Sequence, residues 1–279
     1  SADERRLFQE LSEDLYELEG DRRMVVAPVG VDLESASIAE FNSGNHRKVL
    51  VLLRADRTPG SRDRRSYVQG RCWERLGFPL AAALFFADAD RCSPQSVYKA
   101  TELTALADAG ELAEVTQRID VIEARPDAPA LLVNQAAIVL FQLTRTRAKS
   151  DRPVLYRRVI GLVERTESGP VPLESQRVAA LIAAGFSCGN LNDHAKAEEF
   201  LERAVAMGKY SEAHAARGLI RLRVDRAGAM ADFNRAVELR SRSALPYVQL
   251  AQDAIGRGDF RRVLELCLDA RSVVPPGPM

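Results

Sequence analysis

The chain has 279 residues, with 39 basic and 39 acidic side chains and an apolar fraction of 46%, the profile of a folded chain rather than a disordered tail. No stretch approaches the ~18 consecutive apolar residues of a membrane-spanning helix, and the zero net charge disfavours a general polyanion binder. The zero is a sum of blocks: about −7 over residues 1–46, +6 over 47–75, −5 over 76–130, +4 over 131–173 and +2 over 174–279.

In chain order, residues 3–19 read as an amphipathic helix, with Leu7, Leu11, Leu15 and Leu18 at helical spacing between acidic residues. This segment is the candidate cap of a helical stack. Pro28 and Gly30 interrupt the apolar run that follows and make it a linker. The expected domains are therefore 1–32, cap and linker, and 33–279. From residue 33 the chain is a succession of short helices broken at Ser43-Gly44-Asn45, Thr58-Pro59-Gly60, Gly77-Phe78-Pro79, Ala109-Gly110, Asn190-Leu191-Asn192 and Arg257-Gly258. Helices joined by such short loops lie antiparallel to their neighbours. Helix pairs are expected over 33–57, 63–94, 97–125, 130–167, 177–207, 211–241 and 244–273.

These pairs share a frame. Leu181-x2-Ala184-Gly185-x2-Cys188 precedes Ala197-x3-Leu201-x2-Ala204. Gly218 precedes Ala229-x3-Phe233-x2-Ala236, with the intervening turn one residue short near Val224-Asp225-Arg226. Tyr247-x2-Leu250-Ala251-x2-Ala254 precedes Val263-x3-Cys267-x2-Ala270-x4-Pro275. Upstream, Gly70-x2-Trp73 and Gly77 precede Ala82-x3-Phe86-x2-Ala89. The frame resembles the tetratricopeptide repeat, a helix–turn–helix unit of 34 residues. The pair at 97–125 departs from it, with Val115 and Ile119 in the Ala and Phe slots. The resemblance implies an all-α, right-handed α-solenoid of about seven repeats. Small residues at each crossing admit the neighbouring helix, and large ones fill the space beside them.

Chemistry is scarce. His46 and His194 follow inter-helix turns, where a ring packs. Cys72, Cys92, Cys188 and Cys267 show no metal-ligand spacing; Cys188 and Cys267 fall on apolar stripes and are expected buried. The segment Gly185-Phe186-Ser187-Cys188-Gly189 lacks the spacing and the preceding strand of a nucleophile elbow. Glu198-Glu199 read as solvated carboxylates. Nucleophile, base and orienting group cannot all be named, so the chain reads as non-catalytic, with no cofactor and no metal. Free thiols favour the cytoplasm. The start at Ser1 leaves a periplasmic protein open, and an envelope secretion component with it. Of the basic residues 34 are Arg and five Lys, which fits either a GC-rich bacterial genome or a surface built for bidentate contacts.

Function then falls to the first helices of the pairs, which line the concave face of a solenoid. Arg64, Tyr67, Arg71 and Arg75 form one stripe of the 63–76 helix, with Arg54, Arg57, Arg62 and Arg65 nearby. The stripe reads either as a site for an acidic peptide or as a solvated face balanced by the acidic block at 1–46. Toward the C-terminus the same face offers Ala215, Leu219, Leu222, Leu245, Val248, Gln252 and Ile255, suited to an apolar or amphipathic peptide. The tail Val273-Val274-Pro275-Pro276-Gly277-Pro278 stops any helix, and the stack is expected to end there. Some tetratricopeptide proteins hold acidic chaperone tails with Lys, Asn and Arg on three first helices. This chain has Ile182, Phe186, Ala216, Leu245 and Gln249 at the comparable places, so that activity does not carry over. The leading expectation is a protein- or peptide-binding scaffold. The alternatives are a regulatory or sensor arm of a larger enzyme or transcription regulator, which the reading frame upstream of Ser1 would discriminate, and RNA binding through the 47–75 Arg block. The last is disfavoured because Tyr67 and Trp73 are its only aromatic platforms.

Overall fold

The computed structural model describes residues 33–55, 62–166 and 173–274. The 3–19 segment, the linker after it, Arg57, most of the proline-rich tail and the side chain of Arg54 lie outside the described residues. Among those residues the chain is all-α, with fourteen helices and no strand.

In chain order the helices fall into seven consecutive pairs. They are α1 (Leu33–Asn42) with α2 (His46–Ala55), α3 (Arg62–Arg75) with α4 (Pro79–Cys92), α5 (Ser96–Asp108) with α6 (Leu112–Ala124), α7 (Ala130–Leu143) with α8 (Arg152–Arg165), α9 (Glu174–Asn190) with α10 (His194–Ala206), α11 (Ser211–Arg221) with α12 (Arg226–Glu238), and α13 (Leu245–Gly256) with α14 (Phe260–Val273). Two compact units divide them, one ending at Leu132 and the other starting at Val133, inside α7. Within the first unit α3 and α4 pack tightly, and α5 packs on α4. Within the second, α9 packs on α8 and α10, α11 on α10 and α12, and α13 on α12 and α14.

One turn recurs. The N–H groups of Asn45, Phe78, Glu111, Asp193 and Asp259 each donate to the carbonyl five residues back, at 2.9–3.0 Å. This closure needs the preceding residue in the left-handed region, where glycine has no steric cost. Gly77 sits there at φ 85°, and Asn192 holds the same place at φ 64°, since asparagine tolerates it better than other side chains. The short turn between α11 and α12 closes differently. There the Asp225 N–H donates to the Arg221 carbonyl, four residues back, at 2.8 Å. Asp193, Asp225 and Asp259 then cap their helices, each accepting a backbone N–H at 2.9–3.2 Å.

The crossings explain the rest of the frame. A Cβ added at Gly70 would lie 2.6 Å from the Phe86 ring, and one at Gly185 would lie 2.6 Å from Leu201. The second-helix side chain thus rests on bare backbone. Gly218 and Phe233 repeat the arrangement. Each of the first two pairs spans sixteen residues. The same spacing back from Ile119 reaches Leu103, so α5 and α6 meet with two large buried side chains. They consequently pack less closely than the other pairs of their unit.

Two sequence expectations are corrected. Cys267 is exposed, because α14 buries Leu266 against Ala229, Phe233, Tyr247 and Leu250 and no further helix covers its other side among the described residues. Glu198 is not a solvated carboxylate. Arg221 reaches it from α11, with Nε donating to its Oε1 at 2.7 Å.

Candidate functional site

The basic stripe lies on α3. Arg64 and Arg75 are exposed, while Tyr67 and Arg71 are half-buried. Tyr67 is drawn into packing, its ring centroid 5.6 Å from Phe86 and 5.3 Å from Tyr98. Arg71 pairs with Glu74 one turn on, at 2.7 Å. Acidic groups interleave the block. Asp88 receives Arg62 at 3.1 Å and the Ser66 hydroxyl at 2.7 Å, and these partners hold its carboxyl below the usual range against the opposing pull of burial. Asp63 accepts the Tyr98 hydroxyl at 3.1 Å. Trp73 is buried edge-on against Phe78. Arg64 and Arg75 thus stand exposed about three turns apart on α3, with Arg71 between them.

The apolar set divides in two. Leu219, Val248, Gln252 and Ile255 are exposed. Ala215 is buried, and Leu222 packs against the Phe233–Tyr247 cluster. Leu245 is half-buried. Leu219 and Leu222 also line a cleft of about 460 Å³ with Phe186, Ile220, His194 and Arg223. Phe186 in turn stacks on Phe141, with centroids 6.1 Å apart and planes 13° apart. Gly189 lies in the wall of the cleft, where Ile220 rests on bare backbone: a Cβ placed there would lie 2.7 Å from Ile220.

A second cleft, of about 420 Å³, opens in the first unit beside the loosely packed α5 and α6. Glu102 stands in its wall, 5% exposed. Burial raises its carboxyl above the usual range, and Arg118 at 2.9 Å pulls the other way. Arg118 also holds Glu114. Sequence reading missed this cleft. Its signal was the pairing of Leu103 with Ile119 where three other pairs place glycine opposite a large residue.

The densest charge cluster joins α10, α11 and α12. Asp232, 4% exposed, accepts Arg217 Nε at 3.0 Å and Nη2 at 2.6 Å, and Arg221 Nη1 at 3.0 Å. His214 Nδ1 lies 3.5 Å from the same carboxylate. Burial lowers the imidazole below its ordinary value, outweighing the attraction of Asp232. Another buried polar group ties α7 and α9 to the end of α8. The Thr166 hydroxyl donates to Asn134 at 2.8 Å and accepts from Arg177. In both clusters the buried polar groups are partnered by other side chains of the chain.

Several other reactive side chains are taken up in packing, while Cys92 and Cys267 are exposed. Burial pushes the Cys72 thiol up to about 12 and Cys188 to about 11, far from the thiolate state a nucleophile needs. The Ser187 hydroxyl is buried and donates back to the Ala183 carbonyl at 2.7 Å. His46 lies against Phe41, with centroids 5.0 Å apart. Among the described residues no group of three or more His, Cys, Asp and Glu is placed to hold a metal ion. Nor is any described helix long and apolar enough to cross a membrane.

No protein-family model and no curated protein matches the chain. Solved structures do. A thermophilic tetratricopeptide-repeat protein of Thermus thermophilus superposes with TM-score 0.54 at 16% identity, over 69% of this chain and 99% of the other. A tetratricopeptide-repeat protein from Parabacteroides merdae gives 0.56 at 14%, over 86% and 91%. The C-terminal part of a repeat-containing protein from Cytophaga hutchinsonii gives 0.50 at 10%, over 88% and 96%. The recurring turn, the glycine-seated crossings and these likenesses together give the chain the tetratricopeptide-repeat fold.

Proposed function

We propose that the chain is a non-catalytic scaffold that binds protein or peptide segments on the first helices of its pairs. The observation that carries this reading is the uneven burial of α11 and α13. Their inner positions are sealed, with Gly218, Tyr247 and Leu250 buried, while Leu219, Val248 and Ile255 stay exposed. Large apolar side chains beside an apolar cleft are what an amphipathic or extended peptide needs. In the first unit, exposed Arg64 and Arg75 with Arg71 between them suit carboxylates of an acidic segment. The use of Tyr67 and Trp73 in packing weighs against RNA binding, because it removes both aromatic platforms on which bases would stack.

The test is a synthetic array of random 15-residue peptides probed with the full chain. The expected result is retention of two peptide classes. One is rich in Asp and Glu, and the other carries apolar residues at i, i+3, i+4 and i+7. Uniform absence of retention overturns the reading.

A further inference from the structure

The last described helix, α14, has two apolar faces. The inner one buries Leu266. The outer one presents Phe260, Leu264 and Leu268, 71%, 62% and 57% exposed, with exposed Cys267 beside them. Spacings of four place these residues in one line along the helix. A helix that closes a stack against water carries a polar outer face, and this one does not.

The charges beside the line have an order. Arg261 stands near the start of α14, and Glu265 and Asp269 follow on the same flank. A two-fold interface sets residue i against j and j against i. Two antiparallel α14 helices centred on Leu264 would set Phe260 on the second copy's Leu268. The same arrangement brings Arg261 to the second copy's Glu265 and Asp269. The patch is thus complementary to itself in the antiparallel orientation.

Phe260 alone, at ~200 Å² for an aromatic side chain, leaves about 140 Å² of apolar surface on each copy, and Leu264 and Leu268 extend it along the line. Arg261 already pairs with Glu265 of its own chain at 3.3 Å, so dimerisation exchanges this ion pair rather than creating one.

We propose that the outer face of α14 is a homodimer interface whose occupant is α14 of a second copy, packed antiparallel. The experiment is sedimentation equilibrium of the full chain across the micromolar range, with circular dichroism to verify folding. The expected result is a mass that rises from one chain to two. Leu264→Arg weakens the dimer at least tenfold. Arg261→Glu and Glu265→Arg each weaken it, and the double exchange restores it. In a Cys92→Ser background, maleimide labelling of Cys267 slows as concentration rises. A monomer at every concentration overturns the proposal. So does a dimer indifferent to Leu264→Arg, or a double exchange that fails to restore it. A monomer whose Cys267 is protected at all dilutions also overturns it, and assigns the face to residues 1–32 or to another protein.

Discussion

Gly70→Ala adds one methyl group to α3, at a point 2.6 and 2.7 Å from Cε1 and Cδ1 of Phe86. Helix propensity alone favours the change by about 1 kcal/mol. The contact opposes it. Phe86 has no exposed surface and its ring also touches Tyr67, so it has no free direction in which to retreat. Overpacking of this kind costs about 1–3 kcal/mol. The balance is a net loss of about 1 kcal/mol. In a Phe86→Leu background the clashing ring is gone, and Gly70→Ala should become neutral or stabilising. Contacting residues show interaction energies of about 0.5–3 kcal/mol, and this pair is expected near 2. The assay is urea unfolding of the four proteins, followed by far-ultraviolet circular dichroism. Stabilisation by the full propensity value with Phe86 present would refute the glycine-seated crossing, since it would mean that the added methyl group meets open space.

Three further outcomes follow from the charged groups. Asp232→Asn leaves Arg217 and Arg221 facing a neutral amide. Breaking a buried pair costs about 3–5 kcal/mol, and Arg221 keeps Glu198, so urea unfolding of the second unit should show a loss near the low end of that range. His214 takes up a proton at a lower pH when folded than when unfolded. The unfolded chain therefore binds more protons just below the ordinary value of 6.5, and stability falls as pH drops through that window. His214→Gln removes this component, so the stability gap between wild type and variant should shrink from pH 7 to pH 5; a constant gap would contradict the assignment. Glu102 is shifted the other way, with burial favouring its neutral form. Glu102→Gln should therefore raise the melting temperature at pH 7, and the gain should vanish near pH 4, where the wild-type carboxyl is protonated.

The helices and their turns were legible because each rests on a residue type with one physical job. Gly77 and Asn192 admit the left-handed turn, Asp193 and Asp259 cap, and Gly70 receives Phe86. The one-residue shortening before Asp225 was visible too, and it appears as a different hydrogen-bond closure. Contacts set by the rotation of one helix against the next were not legible. Tyr67 falls on the non-core stripe of α3, yet Tyr98 of the following pair draws it inward. Glu198 sits on a polar face, yet Arg221 from α11 reaches it. The repeat frame marks Cys267 as buried only because the frame assumes another helix beyond α14. The α5–α6 cleft arises from bulk at the crossing, and the frame registers Val115 and Ile119 merely as poor matches.

The most direct test of the account uses two fluorescent peptides, one acidic and one amphipathic and apolar, taken from the array. Anisotropy titrations compare wild type with Arg64→Glu/Arg71→Glu/Arg75→Glu and with Leu219→Asp/Ile255→Asp. The first variant should lose at least tenfold in affinity for the acidic peptide and keep the apolar one, and the second should do the reverse. Equal losses for both peptides in both folded variants, or no loss in either, would contradict the account.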